Sequence, residues 1–182
     1  MNSSFIPLLA MTVIVVASNW LVQFPINDLL TWGAITYPFS FLVTDLTTRL
    51  QGPERARRVV WAGFALAVLL SIWLATPPIA LASGTAFLAG QLLDIQVFQR
   101  LRAGSWWRAP LVSSTAGSVV DTALFFSLAF ACSGLPWITL ALGDLGVKLI
   151  LAVLAQAPFR AVLGPSATGR PGPALRPDIH IA

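Results

Sequence analysis

The sequence predicts an all-α membrane protein, a polytopic bundle of six transmembrane helices with both termini on the cytoplasmic side (N-in/C-in). Three observations carry that prediction. Only 10% of the 182 residues are charged and 57% are hydrophobic, against roughly 25% charged in a soluble domain. The mean hydropathy is +0.80, and a chain this short has too little interior to hide that much apolar surface from water. The apolar residues also fall into six blocks of 17 to 22 residues, and a helix needs about 20 residues to cross a hydrocarbon core about 30 Å thick.

The first block, Phe5 to Val22, contains Val15-Val16-Ala17-Ser18, which is faintly like a signal-peptidase site. No basic residue precedes it and the apolar run continues past it, so it is read as a membrane helix. Pro25 separates it from the second block, Leu30 to Thr47, which is interrupted by Gly33, Pro38 and Asp45. Pro38 lacks the backbone N–H of a helical residue and clashes with the preceding turn, so a kink or break is expected there. Gly52-Pro53 leads to the third block, Val59 to Ala75, and Pro77-Pro78 to the fourth, Ile79 to Phe98. Gly104 and Pro110 precede the fifth, Leu111 to Phe130, and Gly134 and Pro136 the sixth, Ile138 to Phe159. Residues 1–163 form one transmembrane domain on this reading. Residues 164–182, with Pro165, Pro171, Pro173 and Pro177, form a disordered Pro/Gly-rich cytoplasmic tail.

Orientation follows from the arginines. Arg49, Arg55, Arg57 and Arg58 follow the second block, Arg100, Arg102 and Arg108 the fourth, and Arg160, Arg170 and Arg176 the sixth, whereas the other loops hold no Lys or Arg. This alternation places the basic segments in the cytoplasm. It also accounts for the net charge of +4 without a nucleic-acid partner, which would need the charges together on one face. Trp20, Trp32, Trp73 and Trp137 fall at outer ends and Trp61, Trp106 and Trp107 at inner ends, as interfacial anchors do. Trp32 stays open as a ligand contact because polar residues surround it.

With one cysteine, Cys132, and one histidine, His180, the chain lacks the ligand set for a metal, and no cofactor is implied. An enzyme would need a nucleophile with a base inside the bundle, and no histidine lies there. A G-x-x-x-x-G-K phosphate loop is absent, so no ATPase lies within the sequence.

Polar groups inside the helices carry the functional signal, because an Asp or Lys at a helix centre costs roughly 2.5 to 3.5 kcal/mol on insertion scales. Asp121 and Lys148 each lie about 15 Å from the cytoplasmic end of their block, near the midplane, and are placed to pair. Asp144, one turn from Lys148, is a second partner. A structural ion pair and a substrate or proton role are both compatible with this cluster. Ser114, Gly117 and Ser118 share the Asp121 face as a packing stripe. In the fourth block Phe87, Gln91, Asp94 and Phe98 share one face, and an amide and a carboxylate between aromatics suit a planar ligand that stacks and hydrogen-bonds. Asp94 lies about 6 Å from the block's cytoplasmic end and so is expected to reach water. Asp45 and Arg49 are spaced for a local i,i+4 salt bridge.

The run SNWLVQFP from Ser18, the stretch TWGAITYPFSFLVTDLTTRLQG from Thr31 followed by Arg55-Ala56-Arg57-Arg58, the stretch GQLLDIQVFQRLR from Gly90 with Trp106-Trp107, and GSVVDTALFF from Gly117 resemble the bacterial queuosine precursor transporters of the vitamin uptake transporter family. The resemblance extends from about Ser18 to Leu163 in the same helix order. It implies a multi-pass importer in the bacterial inner membrane, carrying 7-cyano-7-deazaguanine and related 7-deazapurine bases for salvage of the tRNA base queuosine, as a stand-alone secondary transporter. The alternative is the substrate-binding membrane component of an energy-coupling, ATPase-driven vitamin importer. Partners are then a purine-like small molecule and membrane lipid, with an ATPase module under the alternative alone; a homo-oligomer stays open. A 7-deazaguanine presents a ring N–H beside an exocyclic amine, which one carboxylate accepts together, a carbonyl that wants a donor, and two aromatic faces. The candidate residues are Asp94 or Asp121 for the donor pair, Gln91, Asn19 and Gln23 for the remaining edge, and Phe87 or Trp32 for stacking, with Asp45 nearby.

The arginine alternation makes a direct prediction. Reporters active only in the cytoplasm should work when fused after Arg58, Gly104 and Leu163 and be silent at Asn27, Pro78 and Ser133. Cytoplasmic activity at Ser133 would overturn the six-helix topology.

Overall fold

The computed structural model describes residues 5–21, 24–27, 30–74, 77–131, 134 and 136–164. Gln23 and, beyond Gly164, the tail lie outside the described residues. The chain is helical: α1 (Phe5–Leu21), α2 (Trp32–Thr36), α3 (Phe39–Gln51), α4 (Pro53–Leu74), α5 (Pro77–Leu101), α6 (Arg108–Phe130), α7 (Trp137–Leu154) and α8 (Gln156–Leu163). The exception is a short antiparallel pair, β1 (Pro25–Asn27) with β2 (Leu30–Thr31), between α1 and α2. Among the described residues three helical stretches are long and apolar enough to cross a membrane, Ile79–Leu101, Arg108–Phe130 and Trp137–Leu163, and Phe5–Leu21 is a shorter apolar helix.

Proline chemistry sets the breaks. The second apolar block is two helices, α2 and α3, separated at Tyr37-Pro38, where the proline cannot donate to the preceding turn. The sixth block is also divided, at Ala155, which the hydropathy pattern does not reveal. Pro158 lacks the N–H that would bond to the Leu154 carbonyl and its ring crowds that carbonyl, so the hydrogen-bond ladder is interrupted there, although Ala155 keeps helical dihedrals. Gly52, at φ +91°, turns the chain between α3 and α4, and Pro53 begins α4, where a missing N–H is harmless.

Helices α5 and α6 form the closest pair in the bundle. A Cβ on Gly90 would lie 2.9 Å from the Gly117 carbonyl oxygen, and one on Gly117 would lie 2.9 Å from the Gly90 carbonyl oxygen and 2.6 Å from the Phe41 ring. Two glycines therefore let the backbones touch, as small residues do between membrane helices, where lipid provides no hydrophobic drive for association. Around this contact Met11, Val15, Val59, Val60, Phe87 and Ile95 form an apolar core joining α1, α4 and α5. Phe98, Ala109, Phe159 and Leu163 form a second core where α8 folds under α5 and α6. The outward faces keep large apolar side chains such as Leu81, Leu142, Ile150 and Trp73 exposed, as a lipid-facing surface requires.

Because the Gly117 position has no room, Gly117→Ala should destabilise the purified protein by about 1 to 3 kcal/mol through overpacking. Gly143, which has nothing within 4 Å of an added Cβ, provides the control: Gly143→Ala should raise stability by about 0.5 to 1 kcal/mol through helix propensity alone. Thermal unfolding in detergent reads both.

Candidate functional site

The polar side chains of α3, α5, α6 and α7 turn inward and form two adjoining clusters. In the first, Lys148 on α7 donates to Asp121 on α6 at 2.7 Å and lies 2.5 Å from Asp144, one turn earlier on α7. Its ammonium also donates to Thr122 at 2.9 Å, while Thr122 donates to Asp144 at 2.8 Å. Tyr37, at the break between α2 and α3, donates its hydroxyl to the other oxygen of Asp121 at 2.8 Å and lies under the ammonium at 5.5 Å. One lysine thus holds two carboxylates, and the broken helix is anchored to the same group.

The second cluster joins α3, α5 and α6. Gln91, fully buried, donates to the Ser40 hydroxyl at 2.8 Å and accepts from Thr44 at 2.5 Å. Asp45 accepts from Ser113 at 2.9 Å and from Ser114 at 2.8 Å, one hydroxyl on each oxygen. This replaces the expected Asp45–Arg49 bridge: Asp45 faces α6 from the inner side of α3, whereas Arg49 reaches the Arg102 carbonyl at 2.8 Å. Asp94 is fully buried and neither of its oxygens has a hydrogen bond of good geometry. Its carboxyl faces that of Asp45 and the Ser113 hydroxyl, but Ser113 already donates to Asp45. Nor does Asp94 reach water, as its distance from the end of the fourth block suggested. Helix α5 continues to Leu101, and Phe98, one turn beyond Asp94, packs on Phe159 of α8 with ring centroids 6.3 Å apart.

The stripe read from the fourth block is real as a buried face, since Phe87, Gln91, Asp94 and Phe98 are all within 2% of full burial. Its aromatics, however, pack into the two apolar cores rather than flank the acid. Phe87 lies against Tyr37 with ring centroids 6.3 Å apart. Asn19 turns back on its own helix to donate to the Val15 carbonyl at 2.8 Å. Trp32 is half exposed. Asp94, Gln91, Asp45 and Asp121 are therefore brought together across the Gly90–Gly117 contact, with Asp94 Cβ 3.3 Å from a Cβ built on Gly117 and Asp121 Cβ 3.0 Å from one built on Gly90. Asn19, Trp32 and Phe87 do not join them in this conformation. Sequence reasoning missed Tyr37, Ser40, Thr44, Ser113 and Thr122 as partners. The spacing of Ser40, Thr44 and Thr48 by four residues was the available signal, a hydroxyl face on one side of α3.

A bundle that turns its carboxylates, its amide and its lysine inward, behind apolar outer faces, has the architecture of a membrane transport protein. Comparison with known proteins agrees. The family described as "Putative vitamin uptake transporter" matches residues 31–76 and 71–163. The chain is 37% identical over 179 residues to the "Queuosine precursor transporter" of Escherichia coli (strain K12), covering 82% of this chain and 81% of that protein. It is 36% identical over 191 residues to the "Probable queuosine precursor transporter" of Haemophilus influenzae (strain ATCC 51907 / DSM 11121 / KW20 / Rd), with the same coverage. No solved structure matches the chain. The chain belongs to the vitamin uptake transporter family and is a membrane transporter, not an enzyme.

The first cluster predicts unequal mutational effects. Lys148→Met leaves Asp121 and Asp144 without their cation and should lower membrane abundance strongly, at a cost of about 3 to 5 kcal/mol before relaxation. Asp121→Asn should cost less, because Asp144 still holds the ammonium. Quantitative immunoblotting of membranes separates the two, and wild-type abundance of Lys148→Met would contradict a structural role for the lysine.

Proposed function

We propose that the chain is a stand-alone importer of queuosine precursors, 7-cyano-7-deazaguanine and related 7-deazapurine bases, in the bacterial inner membrane. It crosses the membrane six times, α2–α3 and α7–α8 each counting as one broken span, with both termini inside. The names of its relatives support the substrate class, and one observation supports the site. Asp94 is a fully buried carboxyl without a well-formed hydrogen bond, which is costly inside a membrane unless a ligand completes it.

A 7-deazaguanine fits that need because its ring N–H and exocyclic amine are parallel donors matched to the two oxygens of one carboxylate. Asp94 accepts them, with Asp45 and Gln91 beside it. Asp121 is held by Lys148 and Tyr37, so it serves the scaffold instead. Since Asp94 has no exposed surface, the base reaches it only when α3 parts from α5 and α6. Broken helices near the binding level suit such a movement.

Expressed in a strain unable to make the precursor, the chain should restore queuosine to tRNA when 7-cyano-7-deazaguanine is supplied. Asp94→Asn presents a donor to a donor and should weaken binding by several-fold to about a hundredfold, roughly 1 to 3 kcal/mol. Wild-type binding of the base by purified Asp94→Asn protein would remove Asp94 from the site.

A further inference from the structure

The carbonyl of a guanine-type base sits next to its two donors and needs a hydrogen-bond donor of its own. In the second cluster the Gln91 amide gives one N–H to Ser40 and accepts from Thr44, so its second N–H is one possible donor, while the Ser113 and Ser114 hydroxyls are directed to Asp45. The cluster also contains two facing carboxyls, Asp45 at 2% exposure and Asp94 at 0%. Two such groups in a low-dielectric interior cannot both stay ionised without a cation, and a close carboxyl pair keeps one proton between them.

Charged groups on neighbouring elements, among the described residues, make contacts of their own. On α7, Lys148 is held by Asp121 and Asp144; on α6, Asp121 faces that lysine and Tyr37. On α3, Arg49 reaches the Arg102 carbonyl; on α8, Arg160 stacks on Trp106 at 5.3 Å. On α4, Arg57 pairs with Glu54, while the face turned to the core carries Ala56, Val59 and Val60.

We propose that Asp45 and Asp94 share a single proton and that this proton is the donor that reads the carbonyl of the bound base. A singly protonated pair offers one O–H and one ionised carboxylate. That is the complement of an edge with one carbonyl, one ring N–H and one amine, and it distinguishes guanine-type from adenine-type bases without a positive charge in the site. The proton belongs to the pair as a unit, since coupled groups titrate together. The inference rests on the reading that Asp94 accepts the two N–H donors. The sign of its pH dependence follows directly. Binding needs the singly protonated pair, so affinity is constant between the pH at which the free pair takes up a second proton and the pH at which it loses its last one, and falls about tenfold per pH unit above the latter.

Two measurements on the purified full-length protein in lipid nanodiscs test this. Infrared spectroscopy at neutral pH should show the carbonyl stretch of a protonated carboxyl, lost in Asp94→Asn and in Asp45→Asn, so that either variant suffices if the other fails to fold. No such band in the wild type overturns the proposal whatever the protein binds. Calorimetric binding of 7-cyano-7-deazaguanine should weaken as pH rises from about 6 to about 9. The Asp45→Asn variant, with a fixed amide donor, should flatten the profile for this base. Binding of that base with the same affinity throughout the range overturns the shared proton while leaving the transporter reading intact. Equal binding by wild type and Asp94→Asn overturns both.

Discussion

Inside a membrane a polar group has no water to fall back on, and this chain places four carboxyls, Asp45, Asp94, Asp121 and Asp144, among its helices with a single lysine. The arrangement of the bundle follows from how that imbalance is distributed. Lys148 sits where it serves Asp121 and Asp144 together, and Tyr37 and Thr122 supply further donors. This cluster is internally satisfied and joins α6, α7 and the α2–α3 break. The remaining two acids have serine hydroxyls and each other. The structure therefore separates a scaffold whose two acids share one lysine from a polar centre that holds no cation, and they lie on opposite sides of one glycine contact.

That contact makes the separation possible. With any larger residue at Gly90 or Gly117, α5 and α6 would stand further apart, and Asp94 and Asp121 could not both lie beside the crossing. Phe41 of α3 closes over the same point, so the helix carrying Ser40, Thr44 and Asp45 is seated by an aromatic ring on a glycine. Apolar packing thus fixes where the hydroxyls and acids meet, and the hydrogen bonds fix how they face.

Much of this was legible in the residues. The break at Pro38, the inward face of Phe87, Gln91, Asp94 and Phe98, and the closeness of Asp121 to Lys148 follow from periodicity and depth. The division at Ala155 was not, because the apolar run is continuous and Pro158 lies past the point where the helix ends. Asp45 was misassigned to Arg49 because i,i+4 spacing identifies neighbours on one helix but cannot say which way a carboxylate turns when another helix offers two serines. The stripe of the fourth block suits a stacked planar ligand, with Phe87 or Trp32 as the stacking ring. Periodicity puts its aromatics on the acid's face, but only the tertiary arrangement shows that Phe87 and Phe98 fill separate cores.

The α5–α6 contact and the α3–α5 contact differ in kind. The first is backbone against backbone, with no space for a ligand and no bond that a ligand could replace. The second is made of Ser40, Thr44 and Gln91, and the α3–α6 contact of Asp45 with two serines, all groups that an incoming solute can substitute one for one. The bundle therefore has a welded seam and a laced one. Of the two, only the laced seam can part without separating packed backbones, because each of its hydrogen bonds has a polar substitute.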